Sequence, residues 1–367
     1  MKVKIAIIDA DLIGRKKHRF PNLSCMKLSG YYKDFGNDVE LKLDYKDLEL
    51  YDKVFVSKVF TDTPINESIL QLPNVEYGGT GFFFDKAPNL PDEVEHHMPD
   101  YHLYDDWIDS QIKNGKKKSE FKEYTDYSIG FITRGCFRKC PFCVNQKYDH
   151  VFEHSPLKEF YDPSRKKICL LDDNFFGCPN WDKLLQQLKD TGKPFKFKQG
   201  LDERLLTDKK CEMLFSSKYD SDIYFAFDDI NDYELIERKL KMIRKHSDKQ
   251  CVFYVLCGFD RAGKYDKEFW ERDIVDVFRR IELLIKYKCL PYIMRFNKYE
   301  ESPYRGMYIT LARWCNQFSF MKKKSLLEYA RDVNGIETSA YRYIMEYKNE
   351  NPDAADKYYN MKWSDYN

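Results

Sequence analysis

The stretch Ser128-Ile-Gly-Phe-Ile-Thr-Arg-Gly-Cys-Phe-Arg-Lys-Cys-Pro-Phe-Cys143 decides how the rest of the chain is read. Its first half, Ser128 to Thr133, has the apolar and β-branched residues of a short buried strand. The strand runs into a loop where Cys136, Cys140 and Cys143 follow the spacing C-x-x-x-C-x-x-C. Three thiols so close together form a soft, all-sulfur donor set, which favours an iron–sulfur cluster or zinc over hard cations. The count matters as much as the spacing. A closed structural site uses four protein ligands, whereas three leave one position open for substrate or cofactor. Zinc would need a fourth donor from His150 or His154, and Cys-x3-Cys-x2-Cys-x6-His matches no usual zinc spacing. The blandest reading is a chance cluster of ordinary thiols. Gly135 permits a tight exit from the strand and close backbone approach to a bound group. Arg134, Arg138 and Lys139 place positive charge beside it, which would raise the potential of an anionic cluster; their bland role is solvent exposure or contact with an electron donor.

Working outward, 367 residues imply two or three domains rather than one. A formal net charge of +1 argues against a chain devoted to coating nucleic acid or an anionic membrane. The basic runs Lys116–Lys118 and Lys322–Lys324 read as solvated surface. The opening Met1-Lys-Val-Lys-Ile-Ala-Ile-Ile-Asp9 is not a secretory leader, and no run approaches the roughly 18 apolar residues of a membrane helix. A cytoplasmic location is expected, where free thiols and oxygen-sensitive clusters persist. Cysteines outside the loop form no second close-spaced triplet, so no auxiliary cluster is indicated.

Before the loop, the chain alternates strands and helices. Val3 to Ile8 is a nearly continuous apolar run, as in a parallel strand buried on both faces. Pro21-Asn22 precedes a helix carrying Leu23, Met26 and Tyr31, closed by Gly36. Val39, Leu41 and Leu43 mark a second strand and Val54–Val56 a third. Such units build a small parallel sheet with covering helices. Gly78-Gly-Thr-Gly81 reads as a turn, since it lacks the G-x-G-x-x-G arrangement. Residues 86–126 read as an irregular crossing segment, interrupted by Pro88, Pro91 and Pro99, with His96, His97 and His102 as surface histidines.

After the loop, further strands are predicted at Lys167–Leu171, Pro194–Phe197, Ile223–Phe227, Val252–Leu256 and Pro291–Arg295. Helices are predicted at Trp181–Leu188, Asp208–Phe215, Tyr233–Lys245 and Phe269–Tyr287. In parallel α/β folds the working residues sit at the carboxyl ends of strands. Here those ends carry Asp172-Asp173-Asn174, then Gln199-Gly-Leu-Asp202-Glu-Arg204, then Asp228-Asp229, then Gly258-Phe-Asp260. Successive polar strand ends point to a polar pocket. From Tyr304 to Tyr329 the chain is helical, broken by Asn334-Gly335, and the tail to Asn367 is rich in Tyr, Lys and Asp.

The cysteine spacing resembles the signature of the radical S-adenosylmethionine (SAM) enzymes, and the strings "DDNF" and "QGLD-x-R-L" resemble their barrel cores. The resemblance implies that Cys136, Cys140 and Cys143 hold a [4Fe–4S] cluster whose open iron binds SAM. Reductive cleavage then gives a 5′-deoxyadenosyl radical for hydrogen abstraction or group transfer. It implies that Phe142 lies against the adenine and that Asp172, Asp173 and Asn174 meet the SAM amino group. By charge and reach, Gln199, Asp202 and Arg204 suit the ribose or the methionyl carboxylate, and Asp228 suits SAM or substrate. A structural ion pair is the alternative for Asp202 and Arg204. The implied architecture is a Rossmann-like domain over 1–115, a partial (β/α)6 barrel over 120–300 and a helical C-terminal extension over 301–367. The first domain resembles the cobalamin-binding domain of many such enzymes, but the axial-histidine motif Asp-x-His-x-x-Gly is absent, because Asp11-Leu-Ile-Gly14 has no histidine there and His18 falls at the wrong distance. Cobalamin is therefore not favoured. The implied partners are an unidentified substrate and an electron donor such as flavodoxin or ferredoxin, with no membrane and no nucleic acid indicated. The alternative is a zinc-containing binding protein, with nucleic acid as its candidate ligand, that uses the three cysteines structurally.

Overall fold

In the computed structural model, which describes residues 2–18 and 20–366, the first apolar run forms strand β1 (Lys4–Asp9), buried at every position after its first. Helix α1 (Leu23–Asp34) begins at Asn22, whose side chain accepts the Cys25 N–H and satisfies one orphan donor of the first turn. Gly36, at φ 77°, turns the chain out of the helix. Strands β2 (Asp38–Leu41), β3 (Lys53–Ser57) and β4 (Val75–Gly78) complete a parallel sheet in the order β2-β1-β3-β4. Connections leave β1 to opposite sides, which puts the switch point between β1 and β3. The edge strand β4 escaped the sequence reading because it is half-exposed and has no apolar run.

One expectation for residues 86–126 fails. Helix α2 (Asp105–Lys113) forms inside that segment, because all three prolines precede it and Ile108 is buried with Trp107 and Ile112 against the core over α1. The histidines there sit beside carboxylates, His96 with Glu159, His97 with Asp34 and His102 with Asp105.

A second parallel sheet runs in chain order through β5 (Tyr127–Gly130), β6 (Lys167–Leu170) and β7 (Phe195–Phe197), with α3 (Trp181–Asp190) crossing between the last two. The strand expected over Ser128–Thr133 stops at Gly130. Thr133–Arg134 instead pairs antiparallel with Phe152–Glu153, a short ribbon that brackets the cysteine loop.

Contacts gather the chain into two units, Met1–Lys198 and Gln199–Asn367. In the second, α4 (Asp208–Phe215) leads into β8 (Ile223–Ala226), α5 (Tyr233–His246) into β9 (Cys251–Cys257) and α6 (Lys267–Lys286) into β10 (Cys289–Arg295). These strands make a third parallel sheet, again in chain order. The chain finishes in helices α7 (Arg305–Cys315), α8 (Ser339–Glu350) and α9 (Pro352–Tyr358). Tyr347, Tyr358 and Tyr359 are buried there, the Tyr359 hydroxyl donating to the Ile344 carbonyl at 2.6 Å. The protein is thus a mixed α/β fold of parallel sheets with a helical C-terminal part, as the rhythm of the sequence implied. Among the described residues, no helix is long and apolar enough to cross a membrane.

Candidate functional site

The cysteine loop is fixed by the residues that follow β6. Asp172, 1% exposed, turns inward and accepts the backbone N–H of Thr133 at 2.7 Å, its hydroxyl at 2.6 Å and the backbone N–H of Ile132 at 3.3 Å. Those are the N–H groups a continuing strand would have offered to a neighbour, which explains why β5 ends early. Burial pushes the Asp172 carboxyl up to about 7, against the Thr133 and Ile132 hydrogen bonds that favour the charge. Asp173 accepts the Gly135 N–H at 2.8 Å on one oxygen and the Asn145 side-chain N–H at 2.8 Å on the other, pinning both ends of the loop. Asn174 donates from Nδ2 to the Cys136 sulfur at 3.3 Å. Three consecutive side chains thus brace the entry, the first cysteine and the exit of one loop.

Gly135 has φ 90°, and a side chain there would run into the His150 carbonyl, so glycine is required. Within the loop, backbone N–H groups of Arg138 and Asn145 reach the Cys136 and Cys143 sulfurs at 3.3 and 3.4 Å. Gln146 donates to the carbonyls of Cys140 and Cys143 and Lys139 to those of Gln146 and Tyr148, so Lys139 works as an internal strut that also pairs with Asp149. Arg134 lies over the Phe131 ring at 3.9 Å. Phe142 is half-buried beside Cys143.

All three loop cysteines are partly exposed. Among the described residues, no three His, Cys, Asp or Glu side chains are gathered closely enough to enclose a metal ion. The fit to a cluster is therefore one of donor chemistry: three soft thiols on a braced loop, with N–H groups directed at two of the sulfurs as hydrogen bonds that stabilise thiolate ligands.

The remaining candidates lie in the unit Gln199–Asn367. Gln199 is exposed. Arg204 donates from Nε to Asp202 at 2.7 Å and from Nη1 to Asp232 at 3.2 Å, so the ion pair considered from the sequence forms. Burial pulls that guanidinium down, and its carboxylate neighbours outweigh burial and hold it above its usual range. Asp228 is pushed up to about 6 by burial, with Arg280 and Arg204 pulling it back.

Two residues the sequence reading passed over prove structural to this rim. Glu203 is 2% exposed, accepts the Ala226 N–H at 3.1 Å and is pushed up to about 8 by burial and the Asp202 charge. Arg280, also 2% exposed, donates from Nη1 to the carbonyls of Phe227, Asp228 and Leu256 at 3.0, 3.0 and 2.8 Å, tying together the carboxyl ends of β8 and β9. The signal for Arg280 was present, since a charged residue sits among Ile274, Val277, Ile281 and Leu284 on the apolar face of α6.

No family model and no curated protein matches the sequence. Among solved structures, the chain is similar to a cobalamin-dependent S-adenosylmethionine radical enzyme, OxsB. The form with aqua-cobalamin bound gives 15% identity and a TM-score of 0.36, covering 98% of this chain and 57% of that one. The apo, selenomethionine-labelled form gives 13% and 0.38, and the form with aqua-cobalamin and S-adenosylmethionine gives 15% and 0.37, at the same coverage. The chain spans 57% of the length of these enzymes.

Proposed function

We propose that the protein is a radical SAM enzyme in which Cys136, Cys140 and Cys143 hold a [4Fe–4S] cluster with one iron left for SAM. The observation that carries this reading is the braced C-x-x-x-C-x-x-C loop, with its three soft donors and N–H groups directed at its sulfurs. When bound, the cluster supplies the electron that splits SAM into methionine and a 5′-deoxyadenosyl radical, for hydrogen abstraction or for transfer of a methyl or sulfur-containing group. The chain's own part is to bind and orient. Asp172 and Asp173 hold the loop, Asn174 supports the Cys136 thiolate, and Phe142 offers a ring to the adenine. Gln199, Asp202, Arg204 and Asp228 supply the carboxylates, amide and guanidinium that suit the ribose, ammonium and carboxylate of SAM. Electrons come from a small donor of the flavodoxin or ferredoxin kind.

Cobalamin is left outside the proposal. The segment Asp9–Gly14 contains no histidine, and Asp11 is committed to the backbone N–H groups of Val59 and Phe60 and the hydroxyl of Thr63. The test is anaerobic reconstitution with iron and sulfide. About four irons and four sulfides per chain, a brown absorbance, and their joint loss in Cys136→Ala support the reading. A colourless protein holding about one zinc overturns it in favour of a zinc-bearing binding protein.

A further inference from the structure

Two of the cysteines outside the loop start neighbouring strands. Strands β9 and β10 pair in parallel with Cys251 directly opposite Cys289. Partners in register project to the same face, and adjacent strands lie about 4.8 Å apart. That is inside the roughly 4.4–6.8 Å between Cα atoms that a disulfide spans. The two thiols are within hydrogen-bonding reach of each other, and both are free and buried.

The pair also has a fixed cation. Arg244, in the last turn of α5, donates from Nη2 to the Cys289 sulfur at 3.4 Å. Its Nη1 is anchored on the carbonyls of Ser247 and Lys249 at 2.7 and 3.1 Å. A guanidinium against a thiol favours the thiolate, the nucleophilic form. Burial raises the Cys289 thiol, but the Cys251 thiol and Arg244 more than offset this and hold it below the ordinary value. The contrast with other buried cysteines is informative. Cys25 and Cys315 are pushed well up by burial with no cation offsetting it, and Cys257 is pushed up by burial despite the Arg280 and Arg295 charges, so none of the three is activated as a nucleophile.

We propose that Cys251 and Cys289 are a redox-modifiable pair that closes into a disulfide when a peroxide reaches it, with Cys289 as the attacking thiolate. The Cys289 sulfur attacks one peroxide oxygen, and the O–O bond breaks. Cys289 becomes a sulfenic acid, and the hydroxide that leaves is neutralised to water by the proton that Cys289 released on forming its thiolate. The Cys251 sulfur then attacks the sulfenic sulfur; the S–O bond breaks, the S–S bond forms, and water departs carrying the Cys251 proton. Each sulfur loses one electron, and the peroxide oxygens gain the two. The segment Ser247–Gln250 lies against the pair, with the Cys251 thiol donating to the Lys249 carbonyl at 3.6 Å, and it is held by Arg244 and by Gln250 Nε2 on the Lys288 carbonyl at 3.1 Å. A water-sized peroxide needs only local opening of that segment. The staple lies at the amino ends of β9 and β10, the opposite end of the sheet from Asp228 and Gly258, so it is independent of the radical chemistry proposed above.

The test is peptide mapping of the full chain after mild hydrogen peroxide treatment of the folded, reduced protein, with free thiols blocked by an alkylating agent before digestion. The expected result is a peptide pair joined through Cys251 and Cys289, split again by a thiol reductant. Arg244→Gln should form the bridge about tenfold more slowly, the change in thiolate fraction for one pKa unit. The wild-type map carries the test even if a variant folds poorly. The proposal is overturned if Cys251 and Cys289 remain separately alkylated while other cysteines oxidise. It is equally overturned if either one pairs with a different cysteine.

Discussion

Replacing Asp172 by Asn changes one charge at the most buried carboxylate of the loop's support and leaves the shape alone. In the unfolded chain this carboxyl releases its proton near the ordinary 3.8, and in the folded chain it holds the proton to about 7. Between those values the folded state binds more protons than the unfolded one. The stability this group contributes is therefore fully present below the unfolded value and is lost as the pH rises through the folded one. From about pH 5 to about pH 8 that loss amounts to roughly 2–3 kcal/mol. Asparagine does not titrate, so the variant's stability should change less over this range by that amount. It should also be weaker by about 1–2 kcal/mol at the acid end, because an amide N–H2 cannot accept the Ile132 N–H. The assay is urea denaturation of the full chain under reducing, anaerobic conditions at both pH values, followed by circular dichroism. Equal pH dependence in wild type and Asp172→Asn would refute the reasoning, as would a wild type that gains relative stability on going to about pH 8.

Three further outcomes follow from the geometry. Asn174→Ala removes the Nδ2 donor to the Cys136 sulfur; the reconstituted cluster should titrate at a potential lower by roughly 40–60 mV, the one-electron equivalent of about 1–1.4 kcal/mol, as read by electron paramagnetic resonance. Gly135→Ala forces a side chain into a backbone at φ 90° that faces the His150 carbonyl; a loss of about 1–3 kcal/mol and a lower iron yield on reconstitution are expected from a melt and an iron assay. Arg280→Met leaves the carbonyls of Phe227, Asp228 and Leu256 without their shared donor; the urea midpoint should fall by an amount equivalent to about 3–5 kcal/mol, and Arg280→Lys should recover only part of it, since one ammonium does not replace a fork.

What could be read from the sequence was set by whether a segment's neighbours matter to its conformation. β1, β9 and β10 are buried apolar runs, and α3, α5 and α6 carry apolar faces at helical spacing, so each is legible alone. β4 is an edge strand with little to bury, and α2 follows a proline-rich stretch whose influence ends at Pro99, so neither stood out. The same division holds at the site. Spacing alone singles out Cys136, Cys140 and Cys143, and the position after β6 singles out Asp172, Asp173 and Asn174. That these three turn onto the cysteine loop depends on the ribbon of Thr133–Arg134 with Phe152–Glu153, a pairing two residues long that leaves no periodicity to read. Glu203 was hidden between Asp202 and Arg204, because a sequence does not say which of three adjacent charges faces inward.

The central claim is the reaction class, and it is tested most directly by assaying the reconstituted, reduced protein for 5′-deoxyadenosine after anaerobic incubation with SAM. The account predicts product in the wild type and none in Cys140→Ala, with cluster and product lost together. A wild type that carries a full cluster yet never cleaves SAM, or a Cys140→Ala variant that still makes 5′-deoxyadenosine, would contradict it.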